Sequence, residues 1–164
     1  MITTIDRQSI TYRPVRDDDR DFLAALYAST REEEMQYVPW TPEQKAEFLE
    51  MQFRAQTMHY ADEYDASGFF VIEQSGRPIG RLYRELQGDD IHIIDIALIP
   101  ETRGAGLGTM LVKEILDEAA GQGLTVSIYV EHFNPAKRLY QRLGFQEVDE
   151  NGVYHRMRWH GPAK

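Results

Sequence analysis

The passage from Ile91 to Glu131 most constrains what this chain can fold into. It opens with "IHIIDIALI", apolar on both faces of a strand period, which marks a strand covered from both sides. "PETRGAGLGTML" follows, placing Gly104, Gly106 and Gly108 within five positions at the mouth of an amphipathic helix. That helix carries Leu107, Met110, Leu111, Ile115 and Ala119 on one face and Lys113, Glu114, Asp117 and Glu118 on the other. "GQG" stops it, and "LTVSIYVE" reads as a second buried strand. Strand, glycine loop, helix and strand form a βαβ unit, expected to be right-handed with its strands parallel.

The remaining elements predict an antiparallel setting for this join. A short strand at Ile10–Arg13 is stopped by Pro14, and "DDDRDFLAALYASTREEEM" sets Phe22, Leu23, Leu26 and Tyr27 at helical spacing. In "VPWTPEQ", Thr41 caps a second helix, with Pro42 at its first position and Gln44 completing a capping box. That helix is expected to reach about His59 and to bury Phe48, Met51, Gln52 or Phe53, and Ala55. "FFVIEQ", "IGRLYREL" and "IHIIDIALI", joined by the turns "SGRP" and "QGDD", read as a meander. After the join, Asn134 and Pro135 cap a short helix ended by Gly144, and "FQEV" with "VYHRMRW" closes as a hairpin about Asn151–Gly152. The expected fold is a single α+β domain over residues 1–164, with its core at about 10–159. It holds a mixed, mostly antiparallel sheet of about seven strands, a central parallel join and about four helices.

Composition narrows the function. With 164 residues the chain can build one good core, and its net charge of −9 argues against nucleic acid or an anionic membrane surface as partner. No apolar run approaches the roughly 20 residues of a membrane span, and the polar start lacks a signal-peptide core, so a cytoplasmic protein is expected. The runs Asp17–Asp18–Asp19 and Glu32–Glu33–Glu34 read as solvated helix surface. Cysteine is absent, which removes disulfides, thiolate metal sites and a cysteine nucleophile. His59, His92, His132, His155 and His160 show no ligand spacing within one element, so no metal is expected.

A helix start offers unpaired N–H groups and partial positive charge, and glycines let a phosphate approach them. The stretch therefore reads either as a phosphate cradle, with Arg103 adding a charge-assisted bond, or as a tight strand–helix turn. The dinucleotide fingerprint would need glycine where Thr109 stands, and a P-loop would need a lysine that Gly108–Thr109–Met110 lacks.

"RGAGLG", with Arg103, Gly106 and Gly108, and "NPAKRLYQRLGF", from Asn134 to Phe145, together resemble the two signatures of the GNAT superfamily of acyl-CoA N-acyltransferases. The resemblance extends from about Ile10 to Trp159 and implies a GNAT-like fold with an acetyl-CoA site. It implies that the backbone of Arg103, Gly104, Ala105, Gly106, Leu107, Gly108 and Thr109 holds the pyrophosphate. Ala97 and Leu98 would pair with the pantetheine arm, in an opening between the strands that end near Ile99 and begin near Thr125. Asn134 would touch the CoA chain, and Lys137 would lie near its phosphates.

The implied activity is transfer of the acetyl group of acetyl-CoA to a primary amine in a direct ternary complex. The alternative is a non-catalytic acyl-CoA sensor of the same fold. Tyr140 resembles the family's tyrosine, as general acid or thiolate stabiliser, or else it is an aromatic packed on a helix face. The base is open among His92, Asp95, Glu131 and water; Asp95 is expected to be buried in "IIDIA". The acceptor, a small amine or a protein amine, would meet Met35, Tyr37 and Trp40 on the loop between the first two helices, unless these, and Trp40 above all, serve plain helix–helix packing, and Tyr154 and Arg156 on the last strand. By analogy with the family, the terminal strands suggest a homodimer.

Overall fold

A computed structural model describes residues 7–132 and 134–162. In chain order the elements are β1 (Ile10–Pro14), α1 (Arg20–Met35), α2 (Pro42–Glu63), β2 (Phe69–Gln74), β3 (Arg77–Gln87) and β4 (Asp90–Leu98). They continue with α3 (Leu107–Gln122), β5 (Thr125–Glu131), α4 (Ala136–Arg142), β6 (Gln146–Asn151) and β7 (Tyr154–Trp159). The strands form one seven-stranded sheet in the order β1-β2-β3-β4-β5-β7-β6, with β4 and β5 parallel. This is the expected mixed α+β architecture, and β4 holds the expected central place in it. By contact density the chain divides into two compact units, Met1–Leu82 with Ala97–Arg103 and Tyr83–Ile96 with Gly104–Lys164.

In the first unit β1 and β2 are antiparallel, from Ile10↔Gln74 to Pro14↔Phe70. The β2–β3 turn is Ser75–Gly76, where both residues have positive φ (50° and 83°), as a type I′ hairpin turn requires. Thr41 and Gln44 make the expected capping box at the start of α2. Leu23, Tyr27 and Phe53 form a buried cluster extended by Val15, Phe22, Ala24 and Leu49, and the Tyr27 hydroxyl donates to Gln52 Oε1 at 3.1 Å. Phe53 is the one fully buried residue of α2; Met51 and Ala55 face solvent, because the inward stripe runs through Leu49, Phe53 and Gln56 instead. The helix also continues four residues beyond His59, to Glu63.

Asp19 overturns the reading of its acidic run as solvated surface. It is 5% exposed, takes Arg13 Nη1 and Nη2 at 2.8 and 2.7 Å, and accepts the Arg16 amide at 2.7 Å. Arg13 also donates through Nε to Glu73 Oε2 at 2.9 Å. The bond from Arg13 holds the Asp19 carboxyl below its ordinary range against the cost of desolvation. One carboxylate thus ties β1 to the turn that starts α1.

In the second unit α3 packs on β5, and its Leu111, Val112, Ile115 and Ala119 are buried. β5 is paired along its length with β7, from Val126↔Trp159 to Glu131↔Tyr154, and β6 closes the sheet as an edge strand exposed throughout. The last hairpin turns on Gly152–Val153, since Asn151 already pairs with Tyr154; Gly152 supplies the positive φ of 61°. Among the described residues no helix is long and apolar enough to cross a membrane.

Replacing Asp19 by Asn should cost about 2 kcal/mol at neutral pH, the usual loss for a hydrogen bond to a charged group. Because the folded carboxyl pKa is depressed, this stabilisation is present above the unfolded value of about 3.9 and is lost as pH falls through the folded value. Urea unfolding of both proteins should show a full gap at neutral pH that closes in strong acid.

Candidate functional site

The parallel register of β4 and β5 runs from Asp90↔Thr125 to Ile93↔Ile128. β4 then continues to Leu98 and β5 to Glu131 with no further register between them among the described residues, although β5 keeps its pairing with β7. Burial changes at the same point. Ile91, His92 and Ile93 are buried, whereas every residue from Ile94 to Leu98 is half-buried. Within the second unit, β4 and β5 therefore part beyond Ile93 and Ile128, and β5 goes on beside β7 alone.

The first unit fixes the continuation of this strand. The Ile99 amide donates to Ile79 O at 2.8 Å, and Gly80 stands so close that an added Cβ would lie 2.3 Å from Ala97 O and 2.9 Å from Leu98 Cδ2. Arg103 donates from Nε to Leu98 O and from Nη2 to Ser29 Oγ, each at 2.9 Å. This guanidinium holds the strand end to α1.

In the glycine loop, Gly104 and Gly106 have φ of 79° and 84°, a region that costs an L-residue strain. Cβ atoms there would meet no heavy atom within 4 Å, so conformation demands the glycines and the space before them is open. Gly106 is the N-cap of α3 and makes no side-chain cap bond. Gly104, Ala105 and Gly106 are exposed, Gly108 and Thr109 lie half-buried in the first helical turn, and the Leu107 side chain is buried, leaving only its backbone to serve a ligand.

Tyr140 is buried in α4, its ring edge-on to Phe145 at 5.5 Å. Desolvation, with the negative charge of Asp95 as a second cause, pushes its phenol up to about 12. Asp95 is half-buried, not buried as expected, because it lies where β4 has left β5. His92 belongs to the paired part of the strand and is 3% exposed. Its Nδ1 lies 3.0 Å from Ser127 Oγ, the Ser127 hydroxyl donates to Asp90, and Tyr129 packs edge-on at 5.3 Å. Desolvation lowers the His92 pKa, opposed by Asp90 and Glu85, which keeps the ring neutral near pH 7. The structure therefore brings Asp95 and Tyr140 within electrostatic reach and sets His92 in a separate buried chain, His92–Ser127–Asp90.

The other candidates are placed as follows. Asn134 caps α4, its Oδ1 accepting the Ala136 amide at 2.9 Å. Lys137 Nζ lies 3.3 Å from Glu147 Oε2. Glu131 ends β5, half-buried. Met35 is buried in α1 and so leaves the surface expected of it, while Tyr37 is 80% exposed and Trp40 packs edge-on to Phe48. Arg156 is paired with Asp149.

A model of the acetyltransferase (GNAT) family matches residues 23–145, three-quarters of the chain. The protein belongs to the GNAT family. Among known GNAT relatives, it is 36% identical over 97 residues to mycothiol acetyltransferase of Streptomyces coelicolor, covering 56% of this chain and 31% of that one. It is 32% identical over 83 residues to thialysine N-epsilon-acetyltransferase of Bos taurus, covering 49% of each. The chain thus matches about a third to a half of the length of these two relatives. The fold is shared with the PaiA N-acetyltransferase of Thermoplasma acidophilum, solved with coenzyme A, at TM-score 0.67 and 16% identity over 93% of this chain and 99% of that one. It is shared also with N-acetylglutamate synthase of Neisseria gonorrhoeae, solved with coenzyme A and N-acetylglutamate, at TM-score 0.60 and 18% identity over 94% of this chain and 35% of that one.

Sequence reasoning missed three residues of this GNAT chain's site region. Ser127 and Asp90 join His92 only through the parallel register, which composition does not reveal. Gly80 had a legible signal, an isolated glycine inside a strand pattern, which marks close backbone approach. Gly80→Ala should push the Ala97 carbonyl out of place, and it should lower both thermal stability and acetyl-CoA affinity. Calorimetry with and without acetyl-CoA checks this; an unchanged protein would mean that β3 gives way freely.

Proposed function

We propose that this GNAT protein transfers the acetyl group of acetyl-CoA to a primary amine without a covalent enzyme intermediate. The observation that carries the reading is the parting of β4 and β5 beyond Ile93 and Ile128, in a chain whose family model spans both strands. The open, uncapped start of α3 supports binding of the CoA pyrophosphate by the amides of residues 103–109. Ala97 and Leu98 would pair with the pantetheine arm. The Asn134 side-chain amide would contact the same arm, and Lys137 the phosphates, in competition with Glu147.

In the reaction the amine nitrogen attacks the acetyl carbonyl, a C–N bond forms, and the C–S bond breaks as CoA leaves as thiolate. A phenol that keeps its proton to about 12 does not favourably surrender it to a thiolate of pKa about 8.5. Tyr140 therefore acts as a hydrogen-bond donor that stabilises the leaving sulfur. Asp95, in the open part of β4, receives the amine proton directly or through water. His92, inside the paired ladder, is assigned to positioning β4 against β5, so the earlier choice among His92, Asp95 and Glu131 falls to Asp95. The acceptor is a small amine or a protein amine, approached past the exposed Tyr37 and Trp40. The same reading places one acetyltransferase domain in the cytoplasm, as a homodimer through its terminal hairpin.

Thiol release from acetyl-CoA across pooled amines tests this directly, since the chain has no cysteine to raise the background. Amine-dependent release is expected; coenzyme A binding with no release in any pool would favour a sensor instead. Tyr140→Phe should lower kcat about 100-fold with acetyl-CoA affinity unchanged. Because its pKa is raised, the wild type should show no loss of rate from phenol ionisation as pH rises from 7 to about 10. Separately, Ala105→Glu would set a like charge before the pyrophosphate without strain. It should raise KM for acetyl-CoA at least about tenfold with kcat retained; an unchanged KM would remove the loop from the binding site.

A further inference from the structure

The second unit brings together three side chains that spacing within a single element does not connect. His132 follows β5, Glu150 lies in β6 and His155 in β7, and one ligand atom from each falls within 4.8 Å of the others. The two imidazoles stack, with centroids 3.7 Å apart and planes 32° apart. The His132 amide donates to Val153 O at 3.0 Å, which fastens the loop after β5 to the β6–β7 turn. His132 Nε2 is buried and has no hydrogen-bond partner among the described residues. A buried ring nitrogen with a lone pair or proton to satisfy, set beside a second imidazole and a carboxylate, calls for a ligand.

We propose that His132, His155 and Glu150 bind a divalent transition-metal ion of the zinc class. Two imidazoles and one carboxylate suit zinc, which such sites hold at about 2.0–2.2 Å with water in the fourth position. The ligand atoms lie within 4.8 Å of one another and must close to roughly 3.4 Å, a rearrangement that the exposed Glu150 side chain and the loop position of His132 allow. His155 Nδ1 is bonded to Glu147, which leaves Nε2 for the metal and orients the ring as carboxylate–histidine–metal triads do. Glu150 Oε1 lies 3.8 Å from the same Nδ1, and Lys137 holds the far oxygen of Glu147. The imidazole pair selects against magnesium and calcium, which prefer all-oxygen sites. The bound ion would join the loop after β5 to both strands of the terminal hairpin, so metal should raise thermal stability. This site rests on its own residues and does not depend on the acetyl-transfer reading.

The test is isothermal titration of untagged, chelator-stripped protein with zinc chloride, paired with thermal unfolding. One equivalent is expected to bind with micromolar or tighter affinity and to raise Tm, while magnesium does neither. His132→Ala and Glu150→Gln should each weaken zinc at least about tenfold. Glu150→Gln alters an exposed strand residue, so it reads out binding even if His132→Ala unsettles the loop. A double change of the exposed His59 and His160 to Ala should leave affinity unchanged. The proposal is overturned if no zinc binds by about 1 mM, if affinity survives both His132→Ala and Glu150→Gln, or if it is lost with His59 and His160.

Discussion

The feature on which the rest depends is a parallel strand pair that stops early. β4 and β5 share a register over Asp90–Ile93 and Thr125–Ile128 and then go separate ways. Peptide groups inside a protein are costly unless something pairs with them, so strands that part must be held from their other sides. The chain meets that cost asymmetrically. β5 turns to β7 for its whole length, while the end of β4 is fixed from its other side by the Ile99–Ile79 bond and the glycine at position 80.

Electrostatics sorts the residues along β4 by the same boundary. Where the strands are paired, His92 is desolvated and hydrogen-bonded into a serine–aspartate chain that fixes its ring. Where they have parted, Asp95 keeps solvent access and its charge reaches Tyr140, whose burial holds the phenol in its neutral form. A neutral donor for a leaving thiolate and an accessible carboxylate for a departing proton are the two complementary needs of acyl transfer to an amine. Three residues apart on one strand, a histidine and an aspartate thus acquire different surroundings because the strand's partner leaves between them.

Much of this was legible in the residues. Periodicity and turn chemistry gave the element order, the meander, the parallel join and the Thr41–Gln44 capping box, because these are local decisions of backbone and solvent. Gly104 and Gly106 were legible as a special backbone for the same reason, and their positive φ bears that out. The reading went astray where a side chain's surroundings come from far along the chain. Asp19 looked like one of three solvated acids until Arg13, itself bonded to the distant Glu73, was brought to it, and Met51 and Ala55 matched a helical stripe that tertiary packing rotated away. His132 and His155 lie on different elements, and only strand pairing stacks them.

The sequence by itself determined the family, the order of elements and the backbone of the glycine loop, since these follow from local sterics, hydrophobic period and motif. The tertiary structure alone decided the register of β4 on β5, and with it which residues stand in the ladder and which at its open end. Register is a contest among long-range pairings of similar chemistry, and no short stretch of this chain contains both sides of it.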